Sequence, residues 1–276
     1  MKFNLEIAEF TRSLQSSNGL RHGDYHRYRH FCTRKLHRLR ASLKIPNGRH
    51  KFRKAEFPDK IHSVRFVQIL VLQAERAWAH GLTLKSEFAL GESNALGRIR
   101  HRYIRKFCRA AKAASEVLEV VKKCGDSSTL LEAEAYHAWV TALALTESGR
   151  YEAAIEQINI ATEKYTMLAK QSLDIILPGA SKAFKHRITD LEPMMRVCRY
   201  KLRLSHAVSQ AADGDVSPTK SAGGDDFESV YEMSDEGEVD FSDTSEDEMD
   251  FEPISPKQQK PAQGLLGKIG GWWNKS

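Results

Sequence analysis

Apolar residues recur at helical spacing through most of residues 1–206, and this periodicity is the feature that most restricts the fold. Side chains that recur every three or four positions form one stripe along an α-helix, whereas a half-buried strand alternates apolar and polar residues. No convincing alternating stretch occurs in this region. The pattern therefore predicts an all-α domain.

Capping and breaking residues divide this region into predicted helices. Asp24 is a typical N-cap, and Gly125 is a typical helix stop. The helix that we predict to open at Pro58-Asp59 is apolar nearly all round, so we expect it to be the central buried helix. Trp78 and Trp139 lie in apolar helices and are expected in the core. The predicted helices are about 24–43, 58–88 and 94–124, then a helical hairpin of 129–147 and 151–170 that is broken at Ser148-Gly149-Arg150, and one helix or a pair from 178 to about 206.

The net charge of +6 hides three blocks of very different charge. Residues 1–212 contain 37 Lys and Arg against 20 Asp and Glu, residues 213–252 contain 16 acids against one Lys, and residues 253–276 carry four Lys and no acid. The acidic block has too few aliphatic side chains to offset the entropy of ordering. We predict a helical domain at 1–210, a disordered acidic linker at 211–261 and an apolar-basic tail at 262–276.

Several function classes are disfavoured. The four cysteines form no CxxC pair, which argues against a zinc site or a disulfide framework. No Walker A, HExxH, GxSxG or GxGxxG motif occurs, so we expect no enzyme, no catalytic residue and no cofactor. His22, His26 and His30 share helical spacing but lack a nearby Cys or carboxylate, so no metal site is predicted. Without a signal pattern or a run of eighteen apolar residues, we expect a cytoplasmic or nuclear protein with no membrane insertion.

Two predicted helices carry a row of cations opposite an apolar stripe. At about 100° per residue, Arg27, Arg34 and Arg38 fall together on the side opposite Tyr28 and Leu36. A second row lies within residues 98–112, which contain seven Arg or Lys and no acid. Like charges at i,i+4 destabilise a helix, so such rows are costly unless a polyanion compensates them. Because arginine makes bidentate contacts with phosphate, the rows predict nucleic-acid binding rather than an ordinary solvated face.

RNA is favoured over DNA, because a bulge, loop or junction opens the otherwise narrow RNA major groove to an arginine-rich helix. Phe31 is a better candidate for base stacking than Tyr25 or Tyr28, which lie on the apolar stripe. Two alternatives stay open: a scaffold whose basic face binds acidic peptides, and a chromatin or nucleolar factor with an acidic tail. The candidate RNA-binding residues are Arg21, Arg27, Arg29, Arg34, Lys35, Arg38, Arg40, Arg49, His50, Lys51, Arg98, Arg102, Arg105 and Arg109.

The basic segment also carries a resemblance to a known family. GLRHGDYHRYRHFCTRKLHRLR (19–40), NGRHKF (47–52), LVLQAERAWAHGLTLK (70–85), LGRIRHRYIRKFCRAAKAASEV (96–117) and EPMMRVCRYKL (192–202) occur in this order. Together they resemble the N-terminal RNA-binding domain of the sixty-eight-kilodalton subunit of the eukaryotic signal recognition particle. The resemblance implies a tetratricopeptide-like domain that docks on the three-way junction of the particle's RNA and remodels it. It places the arginine-rich helix at 27–40 and adds Arg49, His50 and Lys51 in the adjoining loop.

The resemblance also implies partners and a location. Family members act in co-translational targeting to the endoplasmic reticulum, which implies a cytoplasmic particle with a nucleolar assembly phase and indirect contact with the receptor and the ribosome. They bind a seventy-two-kilodalton subunit through a C-terminal region that follows a long helical middle. This sequence looks shortened relative to that pattern, which puts dimerisation with the seventy-two-kilodalton subunit in doubt.

Overall fold

The structure, a computed structural model, describes residues 3–45, 61, 63–91, 96–174 and 178–212. Within these ranges the secondary structure is helical apart from one isolated bridge between Phe3 and Gly125, so the all-α prediction is confirmed. The predicted linker and tail lie outside the described residues, except for residues 211–212. The helices are α1 (Ile7–Ser17), a 3₁₀ helix (Leu20–His22), α2 (Tyr25–Ser42), α3 (Val64–Leu90), α4 (Leu96–Cys124), α5 (Ser127–Ser148), α6 (Tyr151–Asp174) and α7 (Pro178–Ala212).

From α2 onward, each helix packs against the next one along the chain. Helices α5 and α6 form the predicted hairpin, and Gly149 between them has a φ of 85°, a left-handed conformation that glycine adopts without steric cost. The small residues Ala154 and Ala161 of α6 are buried. This arrangement confirms the tetratricopeptide-like helical-hairpin prediction. No helix among the described residues is long and apolar enough to cross a bilayer.

Helix α3 is the buried centre, as predicted. Thirteen of its 27 residues are buried, and Trp78 lies 5.7 Å from Trp139 between ring centroids, so both tryptophans occupy the core. The predicted opening of this helix at Pro58-Asp59 is wrong. Ser63 is extended, with φ −136° and ψ 135°, and its Oγ accepts a hydrogen bond from the Arg65 amide at 3.3 Å. This serine cap satisfies a first-turn amide and sets the helix start at Val64.

The last described helix is longer than the sequence predicts. We expected one helix or a pair ending near His206, whereas α7 is a single helix that ends at Ala212. Pro193 lies inside it on the exposed side. A proline removes one helical amide, but on this side water can hydrate the carbonyl that is left unpaired. The predicted domain boundary at 210 therefore falls within the last turn of α7.

Helix α1 is held at its start by α5 rather than by a local cap. Glu6 precedes the helix and makes no side-chain cap. Instead, Thr129 Oγ1 accepts from the Leu5 amide at 2.9 Å, and Glu132 Oε2 accepts from the Ala8 amide at 3.0 Å. These bonds satisfy amides that would otherwise be buried without partners. Burial raises the pKa of the Glu132 carboxyl to about 7.

Candidate nucleic-acid interface

The predicted basic face of α2 lies on the surface. Asp24 Oδ1 accepts from the Arg27 amide at 2.9 Å, so the helix begins where its cap predicts. Tyr28, Cys32 and Leu36 are buried in the core. The opposite side carries the exposed residues His26, Arg27, Arg34, His37 and Arg38. The helical wheel therefore placed the α2 row on the correct face.

A buried carboxyl group fixes the position of α2. Glu75 of α3 is fully buried, and its Oε2 accepts from Tyr28 Oη at 2.7 Å and from Gln15 Nε2 at 2.7 Å. Its Oε1 accepts from Tyr136 Oη at 2.9 Å. Burial, and then the charge of Glu75, raise the pKa of Tyr28, which therefore stays protonated and keeps donating. These four side chains, which we call the Glu75 cluster, join α1, α2, α3 and α5.

Glu75 is not among the residues predicted from the sequence. One signal was available, because this residue is the only acid between Val64 and Leu84. A lone carboxyl group inside an apolar run is costly to bury and must find hydrogen-bond donors. The sequence could not identify those donors, since Gln15 and Tyr136 lie on other helices, about 60 positions away on either side.

Three of the predicted α2 contacts are half-buried rather than fully exposed: Arg29, Lys35 and Arg40. Lys35 Nζ lies 5.2 Å from the ring centroid of Phe10 and 5.6 Å from that of Phe31, so this lysine links α2 to α1. Burial, and then the neighbouring Arg38 charge, lower the pKa of Lys35. Burial, and then the Arg76 charge, lower the pKa of Arg40. Phe31 is itself half-buried and packs on the core, which reduces the ring surface that a base could stack on.

Helix α4, like α2, has a buried apolar side and an exposed row of arginines, but it packs against α3 in a different way. Tyr103 and Phe107 are buried, and the predicted row of Arg98, Arg102, Arg105 and Arg109 is exposed. The flanking residues Arg100 and His101 are exposed as well. A Cβ added at Gly81 of α3 would lie 2.6 Å from Phe107 Cε1, so the glycine lets the ring approach the α3 backbone closely. The α4 row is thus set by apolar contact with α3.

The remaining candidates are Arg21, Arg49, His50 and Lys51. Arg21 is exposed in the 3₁₀ helix. Arg49, His50 and Lys51 lie outside the described residues. His26 and His30 bring their Nε2 atoms to 3.2 Å, but the part of the chain that the structure describes holds no group of three or more His, Cys, Asp or Glu that could bind a metal.

The electrostatics of both rows suit phosphate binding. Neither α2 nor residues 98–112 contain an acid, so no acid on the same stretch neutralises the arginines. A guanidinium group donates two parallel hydrogen bonds to a phosphate, and a helix that is already folded presents such groups at fixed spacing. This arrangement can bind a structured polyanion without first having to fold.

Comparison with known proteins points to one family. A family model described as "RNA-binding signal recognition particle 68" matches residues 20–233. The chain is 32% identical over 220 residues to signal recognition particle subunit SRP68 of Dictyostelium discoideum, which covers 76% of this chain and 34% of that protein. It is 33% identical over 208 residues to the SRP68 subunit of Drosophila melanogaster, which covers 72% of this chain and 33% of that protein. The chain thus spans about a third of the length of the curated relatives it matches.

A solved structure shares the fold. The SRP68-RBD from Chaetomium thermophilum superposes with a TM-score of 0.60 at 26% identity. The match covers 72% of this chain and 100% of that chain.

Proposed function

This chain belongs to the family of RNA-binding signal recognition particle 68 proteins, and we propose that it binds the RNA of that particle through the exposed arginines of α2 and α4. The observation that carries the proposal is the α2 row. Arg27, Arg34 and Arg38 are exposed on a helix whose opposite face is tied to the buried Glu75. Such preorganisation lowers the entropic cost of binding compared with a basic segment that must fold on the RNA.

We further propose that the RNA site is a three-way junction and that α2 remodels it. Arg27 and Arg38 are eleven residues apart, about 16 Å along the helix axis. The major groove of a continuous A-form RNA duplex is too narrow to admit an α-helix, whereas a junction can widen that groove. Binding there would let one helix contact phosphates from more than one strand.

Within the particle, the proposed role is support of co-translational targeting to the endoplasmic reticulum. The expected location is the cytoplasm, after a nucleolar assembly phase, with indirect contact with the receptor and the ribosome. Binding to the seventy-two-kilodalton subunit, which the resemblance implies, stays a prediction, because the chain spans about a third of the length of the curated relatives it matches.

Removing two arginines from the α2 row tests the proposal. Arg27→Ala combined with Arg34→Ala should weaken binding to a three-way-junction RNA about tenfold or more, and it should reduce the salt slope of log Kd by about 1.4 to 1.8. The matched control removes two exposed cations outside both rows, Lys122→Ala with Lys123→Ala. The measurement is fluorescence anisotropy at several salt concentrations, with circular dichroism to verify that the helices persist.

Unchanged junction binding in the α2 variant, or an equal loss in the control, would contradict the proposal. A continuous RNA duplex and a DNA duplex of equal length separate the alternatives. Equal affinity for duplex DNA would favour a chromatin factor. Binding to acidic peptides without preference for the junction would favour a protein scaffold.

A further inference from the structure

Helix α7 exposes an apolar stripe, although it is the last helix of the described stack. Val197, Tyr200 and Leu204 are 49%, 64% and 47% exposed. At about 100° per residue they fall within about 60° of one another, on the side away from the buried Leu191 and Cys198. The terminal helix of a helical stack normally has a polar outer face, because nothing follows to cover it. We call Val197, Tyr200 and Leu204 the α7 stripe.

Cations surround this stripe. Arg196, Arg199, Lys201 and Arg203 are all exposed, and no acid occurs from Pro193 to Ala207. An apolar strip bordered by arginines selects for a ligand that is both apolar and acidic, because burying the strip gains free energy and the carboxylates offset the clustered positive charge.

The chain carries such a ligand shortly after α7. Residues 225–233 read DDFESVYEM and contain four acids and no cation. Phe227, Val230 and Tyr231 stand at i, i+3 and i+4, the spacing that would put them on one side of a helical turn. The family match extends to residue 233 and so includes this segment.

We propose that residues 225–233 dock on the α7 stripe of the same molecule, with Phe227, Val230 and Tyr231 against the apolar residues and the carboxylates beside the arginines. The segment that connects α7 to residues 225–233 is long enough for this contact. Twelve residues, 213–224, separate α7 from the segment and can span up to about 40 Å, whereas Tyr200 lies about 18 Å back from Ala212 along the helix axis. A short tether gives an effective concentration of about millimolar, so even weak docking is populated. The inference goes beyond RNA binding and does not depend on it.

Hydrogen–deuterium exchange on the full chain tests this contact. Amides of residues 225–233 should exchange about tenfold or more slowly than those of a free peptide of the same sequence. Val197→Asp with Leu204→Asp should restore the free-peptide rate, because the new charges repel the segment. Leu90→Asp is the matched control, since Leu90 of α3 is 69% exposed and lies outside the α7 stripe; it should leave the slow exchange unchanged.

A second variant guards against misfolding. Tyr200→Ser changes the most exposed residue of the stripe and should speed exchange in residues 225–233 while circular dichroism stays unchanged. Free-peptide exchange in the unmodified chain would overturn the proposal, and so would slow exchange that survives both stripe variants. Slow exchange that disappears on dilution would also overturn it, because the occupant would then be a second copy of the chain.

Discussion

Helices α2 and α4 show nearly the same face to solvent but are attached to α3 by opposite kinds of chemistry. Each has a buried apolar side and an exposed row of arginines. The α2 attachment includes a hydrogen bond from Tyr28 to the buried Glu75. The α4 attachment relies on the ring of Phe107 lying against Gly81.

The difference shows that the basic surface and its support are separate features. A hydrogen bond to a buried carboxyl group has strict geometry, so it specifies which residue of α2 faces which residue of α3. Ring-on-glycine packing depends on volume instead. The α2 row should therefore be sensitive to polar substitutions in the core, and the α4 row to changes in size.

The largest effect should come from Glu75→Leu. The substitution leaves the buried donors of Gln15, Tyr28 and Tyr136 without their acceptor, and we expect a loss of about 3 to 5 kcal/mol in the free energy of unfolding. Urea denaturation measures it. Glu119→Leu changes an exposed acid on α4 and should stay within about 0.5 kcal/mol of the unmodified chain. Similar losses of stability in the two variants would contradict the view that hydrogen bonds to Glu75 hold α2 in place.

Gly81→Ala tests the apolar packing of α4 against α3. The new Cβ would meet Phe107 at 2.6 Å, so we expect a loss of about 1 to 3 kcal/mol in the same measurement. Gly97→Ala is the control, because a Cβ there meets nothing within 4 Å; it should be neutral or stabilising by up to about 1 kcal/mol. Adding Phe107→Leu to Gly81→Ala should recover part of the stability, and failure to do so would show that the ring contact does not limit the packing.

The polar attachment of α1 should depend on pH. Burial raises the folded-state pKa of Glu132 from 4.5 to about 7, so between these values the folded chain binds more protons than the unfolded chain. Stability from this group is therefore complete below about pH 4.5 and is lost as the pH rises through about 7.

Glu132→Gln keeps an acceptor for the Ala8 amide but cannot ionise. The free energy of unfolding of the unmodified chain, relative to this variant, should fall by about 2.5 kcal/mol between pH 5 and pH 8. Urea titrations at each pH measure the difference. Parallel pH profiles for the two chains would contradict the assignment of this titration to Glu132.

The smallest effect should come from removing arginines of the α4 row, and it is measured as a change in RNA affinity. Arg98→Ala with Arg102→Ala should weaken junction binding about threefold to fivefold, less than the α2 pair, because these arginines are proposed to add a second phosphate track rather than to enter the junction. The same anisotropy assay applies. A loss equal to or greater than that of the α2 pair would reverse the proposed ranking of the two helices.

Local sequence was enough for much of this architecture. The Asp24 cap, the Gly149 break and the outward direction of both arginine rows follow from residues within a few positions of one another, because helix propagation and helical periodicity are short-range effects. The start of α3 was misplaced because a Pro-Asp pair is a typical helix opening in local sequence, whereas in the structure the Oγ of Ser63 accepts from a first-turn amide and the helix begins at Val64. The RNA-binding role of the rows remains a prediction.

Only the tertiary structure decided how the helices are joined. Glu75 finds Gln15 and Tyr136 from about 60 positions away on either side, and Glu132 reaches the Ala8 amide across 124 positions. Periodicity tells which side of a helix is buried but not what it is buried against. A buried polar group can be paired only by donors on the helices that pack around it, and the packing of the whole chain determines which helices those are.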